Sequence, residues 1–357
     1  MRGVILRETG KPVEVSDELA IRPPGPGEVR VRLRAAGVCH SDLSMCEGRL
    51  PARLPLVPGH EGAGEVVELG PGVTGPPVGS HVILSWIPPC GGCAYCLGGQ
   101  PNLCTSVSPP AEPTLTVGGE PAYAGLGVGC FAEETVVDAR AAIPIPGDVP
   151  FEVAAVVGCA VLTGVGAVIN TARVRPGSSV LVIGCGGVGV NVVQGAALAA
   201  AAPVVAVDRV PEKLAAARAF GATHTVTPDE LREAAKELTG GLGFDYAFEV
   251  VGRSETIRQA YKSTRRGGTT VVVGAGSADD PVTFSAAELF ATERRLVGCL
   301  YGSGDVRTDF ARLLRLWRAG RLDLEGLISR RITLDGVGAA FEAMGSGDVI
   351  RSLVTFP

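Results

Sequence analysis

The chain has 357 residues, 46% of them hydrophobic, and a formal net charge of −5. That is long enough for two domains with real cores, and with aromatics at only 5% those cores must be aliphatic. No basic block stands out, which argues against a nucleic-acid or anionic-membrane partner. The opening MRGVILRETGKPVEV is polar and alternating, lacks the apolar core of a leader, and reads as the first strand of a cytoplasmic protein. In that compartment the ten cysteines point to metal ligands or buried thiols, not disulfides.

Up to about residue 150 the chain carries short β-like runs at Val29–Ala35, Gly64–Leu69, His81–Ser85 and Glu134–Val137. Clusters of Pro and Gly separate them, so an irregular antiparallel or barrel-like domain is expected. Within it lies Cys90-Gly-Gly-Cys93-Ala-Tyr-Cys96, then seven residues and Cys104. Four thiolates at this spacing can close a tetrahedral shell around zinc, which makes a structural site. An iron–sulfur cluster is the other reading, but the chain offers no partner domain for electron transfer.

From Phe151 the texture changes to alternating strand and helix units: the stretch Val153–Asn170, then a helix over Glu212–Phe220, a strand over Asp245–Val250, a helix over Glu255–Thr264 and a strand over Thr269–Gly274. Alternation of this kind predicts a parallel, doubly wound sheet. At its centre the apolar run Val180–Ile183 meets Gly184-Cys185-Gly186-Gly187-Val188-Gly189, a small-residue helical pattern follows, and a second run, Val204–Val207, ends in Asp208. Glycines let the backbone approach a pyrophosphate, the helix start meets its charge, and the later acid accepts from a ribose hydroxyl. A membrane span is excluded although Val180–Val207 carries no charge, because clustered Gly, Asn191, Gln194 and Pro203 interrupt it. The tail, with a helix near Phe310–Arg318 and a strand at Ser352–Phe356, is too short to fold alone and is expected to return to the first domain.

Further motifs lie at Gly37-Val-Cys39-His40-Ser41-Asp42, at Pro58-Gly-His60-Glu61-Gly62 and at Gly158-Cys159. In this order, together with the cysteine lobe, the glycine turn, FEVVGR from Phe248 and the terminal IRSLVTF, they resemble the zinc-dependent medium-chain alcohol dehydrogenases along essentially the whole chain. The resemblance implies an α/β protein: a GroES-like irregular β-barrel catalytic domain over 1–158, a zinc lobe over 88–105, a Rossmann domain over 159–300, and a return segment over 301–357. It implies two zinc ions per chain and NAD as cofactor.

By that resemblance Cys39, His60 and Cys159 bind the catalytic zinc, with Glu61 as an occasional fourth ligand; Cys90, Cys93, Cys96 and Cys104 bind the structural one. A two-cysteine, one-histidine set with an open fourth position is the standard alcohol dehydrogenase arrangement. Asp42 would orient His60, and Ser41 would take the substrate proton. Many relatives carry a histidine three residues beyond the Ser41 position as the next proton carrier; this chain has Ser44. Around NAD the implied contacts are Gly184, Gly186, Gly187, Val188, Gly189, Asp208 and Lys213, with His40 and Arg351 at the pyrophosphate. Thr163 and Val273 would lie near the nicotinamide, and Val251 in the loop beneath it. Asp208 favours NAD over NADP; Arg209 beside it keeps the phosphorylated cofactor open. Trp86, Ala275 and Leu300 would line the alcohol pocket, whose entrance the Pro- and Gly-rich segment Pro109–Gly129 would reshape.

The substrate implied is a small primary or aromatic alcohol or its aldehyde, and the partner a second or further copies of the chain, as a homodimer or homotetramer. GCAVLTGVGAVINTARV is also similar to the thiol-dependent formaldehyde dehydrogenase branch. Two rivals remain at this stage: a zinc-free quinone or enoyl reductase of the same superfamily, and a nucleotide-binding relative without turnover.

Overall fold

The computed structural model describes residues 1–107, 112–346 and 350–357, so residues 109–111 of the Pro- and Gly-rich segment lie outside the described residues. The chain divides into two compact units, Met1–Cys159 with Asp305–Pro357, and Ala160–Gly304.

In the first unit a seven-stranded sheet runs in the order Ala142–Pro144, His81–Leu84, Glu61–Leu69, Glu28–Gly37, Ser352–Thr355, Arg330–Ile332, with Glu134–Asp138 also paired to Glu28–Gly37. All pairs are antiparallel except the last two strands of the path, which are parallel. The strand Glu28–Gly37 shows how sequence positions the site. Val29, Val31 and Leu33 point into the core, while Arg30, Arg32 and Arg34 reach Glu68, Glu134 and Glu65 at 3.2, 3.2 and 3.8 Å. Such surface pairs add little stability each, but the alternation fixes which face is buried. From Ala35 to Gly37 every residue is buried, and the chain enters the segment Val38–Asp42 inside the protein. A Cβ on Gly37 would lie 2.1 Å from Glu61 Oε2, so only glycine lets the two strands pass here. A smaller four-stranded sheet is formed by Leu19–Ile21, Leu115–Val117, Glu120–Ala124 and Leu56–Val57.

The second unit is built on β1 (Val180–Ile183), β2 (Val204–Val207), β3 (His224–Val226), β4 (Phe244–Glu249), β5 (Thr264–Val272) and β6 (Arg295–Gly298). Its principal helices are α1 (Gly187–Leu198), α2 (Pro211–Ala219), α3 (Leu231–Leu238), α4 (Ser254–Ser263) and α5 (Ala286–Thr292). The six strands are all parallel and ordered β3-β2-β1-β4-β5-β6. This is the doubly wound nucleotide-binding order, whose ligands sit beyond the carboxyl ends of the strands where the order reverses, here at β1 and β4. β1 and β2 are buried at every residue, which is why they read as unbroken apolar runs.

A continuous helix over Phe151–Ala172 is long and apolar enough to cross a membrane, yet 89% of its apolar window is buried, the pattern of a core helix. Its turn at Val157–Val161 widens to π geometry around Cys159. Such bulges re-aim a side chain and recur at functional sites.

Candidate functional site

The ligand atoms of Cys39, His60, Glu61 and Cys159 all lie within 4.8 Å of one another, and all four residues are buried. Cys39 caps the short helix His40–Cys46, Glu61 opens the strand Glu61–Leu69 with His60 just before it, and the π turn delivers Cys159. Asp42 ties two of these segments together through three contacts. Its Oδ2 accepts from Cys39 N at 3.1 Å; its Oδ1 accepts from Gly59 N at 3.0 Å and lies 2.8 Å from His60 Nδ1. With Nδ1 engaged, Nε2 is the nitrogen left facing the cluster.

His60 Nε2 and both Glu61 carboxylate oxygens are buried without a hydrogen-bond partner. Buried polar atoms left unpaired cost free energy, and a cation shared among them removes that cost. Two sulfurs, an imidazole nitrogen and a nearby carboxylate suit zinc chemically. The charges are set for it as well. Cys159 donates to Cys39, which together with His60 and Arg351 holds the Cys39 thiol well below its ordinary range, while that bond and burial push Cys159 up. Burial works to lower His60, but Asp42 and Cys39 carry it well above its usual range. Burial pushes Glu61 up to about 8, against the pull of Arg351. Arg351 Nη1 lies 3.2 Å from Glu61 Oε1 and 2.9 Å from Val38 O, and the residue is buried. The structure therefore places Arg351 against the cysteine–histidine cluster, a location its sequence position gave no sign of. Trp86 meets His60 edge-on, with ring centroids 6.3 Å apart. Ser41, half-buried, and His40, exposed, lie in the first turn of the same helix that Cys39 caps.

The four sulfurs of Cys90, Cys93, Cys96 and Cys104 also lie within 4.8 Å of one another. Cys90 and Cys96 sulfurs are 4.0 Å apart, and those of Cys93 and Cys104 3.9 Å. A tetrahedron with zinc–sulfur bonds of about 2.3 Å has sulfur–sulfur edges of about 3.8 Å, whereas a disulfide needs about 2.05 Å. The arrangement fits one ion. Backbone N–H groups of Gly92 and Cys93 donate to Cys90 Sγ at 3.4 and 3.3 Å, and Cys96 N to Cys93 Sγ at 3.5 Å. The Ser106 hydroxyl and these amides bring Cys90 down to about 5, a thiolate ready for a cation.

In the second unit the glycine turn joins β1 to α1. Gly184 takes a left-handed φ of +95°, and a Cβ on Gly189 would lie 1.8 Å from Gly184 O. Asp208, half-buried past the end of β2, accepts from Cys185 N at 2.8 Å and Val210 N at 3.1 Å, so it ties the turn to the neighbouring strand. Val251 packs against the turn: a Cβ on Gly184 would lie 2.8 Å from its Cγ2. Thr163 is buried, Val188, Lys213 and Val273 are half-buried, and Arg209, Ala275 and Leu300 are exposed within this unit. Cys46, Cys130, Cys185 and Cys299 are buried free thiols.

The profile of the alcohol dehydrogenase GroES-like domain matches residues 25–147, and that of zinc-binding dehydrogenases matches residues 187–318. The chain is 40% identical to the provisionally named alcohol dehydrogenase D of Mycobacterium tuberculosis, covering 98% of each chain. It is 35% identical to an S-(hydroxymethyl)glutathione dehydrogenase of Paracoccus denitrificans, covering 99% of each. The chain belongs to the zinc-dependent medium-chain alcohol dehydrogenase family. The crystal structure of a benzyl alcohol dehydrogenase from Acinetobacter calcoaceticus superposes with a TM-score of 0.93 at 29% identity, over 100% of this chain and 99% of that one. The fold is accordingly a GroES-like domain with a Rossmann-type parallel sheet, and the protein is an oxidoreductase. The zinc-free and non-catalytic rivals lose their ground with that membership and with two clusters whose donors suit a metal. Sequence reasoning gave the enzyme's cysteine and histidine candidates but not the triple grip of Asp42, the π turn at Cys159 or the role of the buried acid Glu249, which stood in the sequence only as a member of the FEVVGR motif.

Proposed function

We propose that the enzyme interconverts primary or aromatic alcohols and their aldehydes with NAD, holding one catalytic and one structural zinc per chain. The observation that carries this is the buried group of Cys39, Cys159, His60 and Glu61, whose ligand atoms lie within 4.8 Å of one another with His60 Nε2 lacking a hydrogen-bond partner. When bound there, zinc supplies Lewis acidity towards an alcohol or carbonyl oxygen, and NAD accepts or returns the hydride. The chain's own residues do the rest. Cys39, His60 and Cys159 hold the metal, Asp42 fixes the tautomer and angle of His60, and Ser41 receives the hydroxyl proton. Trp86, edge-on to His60, offers a flat apolar wall that suits an aromatic ring. Asp208 and Lys213 take the adenosine side, the glycine turn the pyrophosphate, and Thr163, Val188, Val251 and Val273 the nicotinamide half. In this reading residues 1–158 and 301–357 are the catalytic domain and residues 159–300 the NAD domain. A cytoplasmic, reducing location suits ten free thiols, two groups of which serve metals.

A second substrate reading is supported by the Paracoccus denitrificans relative, whose name specifies S-(hydroxymethyl)glutathione. One experiment separates the two. Purified enzyme is mixed with NAD and, in turn, short alkanols, benzyl alcohol, and formaldehyde with glutathione, with and without a zinc chelator, while NADH absorbance is followed. Steady, chelator-sensitive NADH formation is expected from benzyl alcohol above the other two. Turnover confined to the formaldehyde–glutathione mixture replaces the aromatic reading, and absence of NADH from every mixture defeats the NAD-dependent one.

A further inference from the structure

Glu249 ends β4 and is completely buried. A carboxylate in such a place is costly unless its oxygens are satisfied. Its Oε1 is heavily used: Val251 N donates at 2.9 Å, Gly252 N at 2.8 Å and Thr256 Oγ1 at 2.7 Å. Oε2 is buried without a partner. Burial raises its pKa, with those three donors pulling the other way. The main chain of the same residue is also a node, since its carbonyl accepts from Val273 N at 2.8 Å and Gly274 N at 3.0 Å.

The loop that this side chain gathers is packed on both flanks. On one side it meets the glycine turn: a Cβ on Gly184 would lie 2.8 Å from Val251 Cγ2 and 3.3 Å from the Val250 carbonyl carbon. On the other it meets the segment after β5. Gly252 has φ +83°, and its Cβ would lie 2.6 Å from Ala275 O; a Cβ on Gly274 would lie 2.2 Å from Gly252 N. Loop 250–253 is thus a wedge between the phosphate-binding turn and residues 273–275, at the carboxyl edge where such sheets take their ligand.

We propose that Glu249 is a positioning residue for the nicotinamide half of the cofactor: its carboxylate folds loop 250–253 into the wedge that sets residues 273–275 relative to the glycine turn. This rests on the NAD reading above and deepens it. Glu249 touches neither cofactor nor substrate. It acts through Val251, Gly252 and Val273, so losing it should harm the nicotinamide end and spare the adenosine–pyrophosphate end, which Asp208 and the helix start hold independently.

The test compares NAD with 5′-ADP, which lacks the nicotinamide riboside, by calorimetric titration of zinc-loaded protein. In Glu249→Leu the acceptor disappears at similar volume. Its Kd for NAD is expected to rise about tenfold while its Kd for ADP stays within about twofold. Glu249→Gln keeps an acceptor oxygen for the three donors and should bind both ligands like the parent. Equal loss of NAD and ADP would mean general damage to the unit and overturn the proposal, as would unchanged NAD binding in the leucine variant, or a glutamine variant as impaired as the leucine one. Should Glu249→Leu not fold, Thr256→Val removes a single donor. A rise of about twofold to threefold for NAD alone then supports the role, and identical behaviour of both ligands overturns it. Failure of the parent to bind either nucleotide would instead strike at the NAD reading itself, and is separable because it appears before any variant is made.

Discussion

Ser44 stands three residues beyond Ser41, where the family resemblance leads one to expect a histidine that carries the substrate proton onward. It lies in the helix His40–Cys46, half-buried, and its carbonyl accepts from Arg49 N at 2.8 Å and Leu50 N at 3.0 Å, so its backbone is fixed whatever the side chain does. A serine hydroxyl cannot take a proton near neutral pH, whereas an imidazole with a pKa of about 6.5 can. Ser44→His should therefore raise kcat near pH 7 by severalfold, with the gain vanishing above about pH 9 where hydroxide relieves the proton step. A pH–rate profile of the two proteins checks this, and overlapping profiles would show that proton release is not limited at this point. The neighbouring Asp42 explains why such a change is tolerable: the metal-facing geometry is fixed by its contacts with Cys39, Gly59 and His60, none of which involves Ser44.

At the scale of elements, the cysteine lobe is held by little besides its four cysteines. Its helices are short, Ala94–Leu97 and Pro101–Leu103, and Tyr95, Leu97 and Leu103 face outwards, so little apolar burial holds it. Arg307, paired first with Asp305, feels the sulfurs of Cys96 and Cys90, and a Cβ on Gly91 would lie 3.7 Å from its Nη1. That placement suits the negative charge of a four-thiolate site. Cys93→Ser should cost about one zinc per chain by metal analysis, lower Tm by about 5 °C, and open residues 90–104 to proteolysis. Retention of both metals with unchanged Tm would count against a structural ion. The lobe was legible because ligand spacing is a local property of the chain. So were β1 and β2, whose burial on both faces leaves only aliphatic residues. Other elements were not. At the start of β5, Thr264-Arg-Arg-Gly-Gly268, only Thr264 pairs with β4; the register then jumps to Thr269, so the turn-like residues 265–268 bulge out of the ladder. β3 is only three residues long and half-buried, and α3 fully buries Leu231 alone. The site divides the same way: ligands sit in recognisable motifs, but the contact between Arg351 and Glu61 joins residues 290 positions apart, and Glu249 shows its purpose only when three segments meet.

For the whole molecule the informative feature is an edge. β6 is the last strand of its sheet, so one side of it presents N–H and C=O groups without a neighbouring strand among the described residues. Bare edges of this kind template pairing with another chain unless they are blocked. This edge carries the exposed charge of Arg295 but also apolar surface: Leu296 on β6 is 39% exposed, and Phe290 on the preceding α5 is 87% exposed. Single exposed leucines are ordinary, but a phenylalanine this bare next to an edge strand in sequence is the kind of surface a second copy would be expected to cover. A twofold axis lets two identical edges pair with each other and closes the assembly, which fits the expected homodimer or its doubling to a tetramer. In light scattering the enzyme should therefore appear at twice or four times its 36.5 kDa chain mass. The double variant Phe290→Arg with Leu296→Arg places like charges opposite each other across that axis and should shift the population to the single-chain mass, with zinc content unchanged. A parent protein that is monomeric at micromolar concentration, or a double variant with undiminished mass, would remove β6 from the assembly.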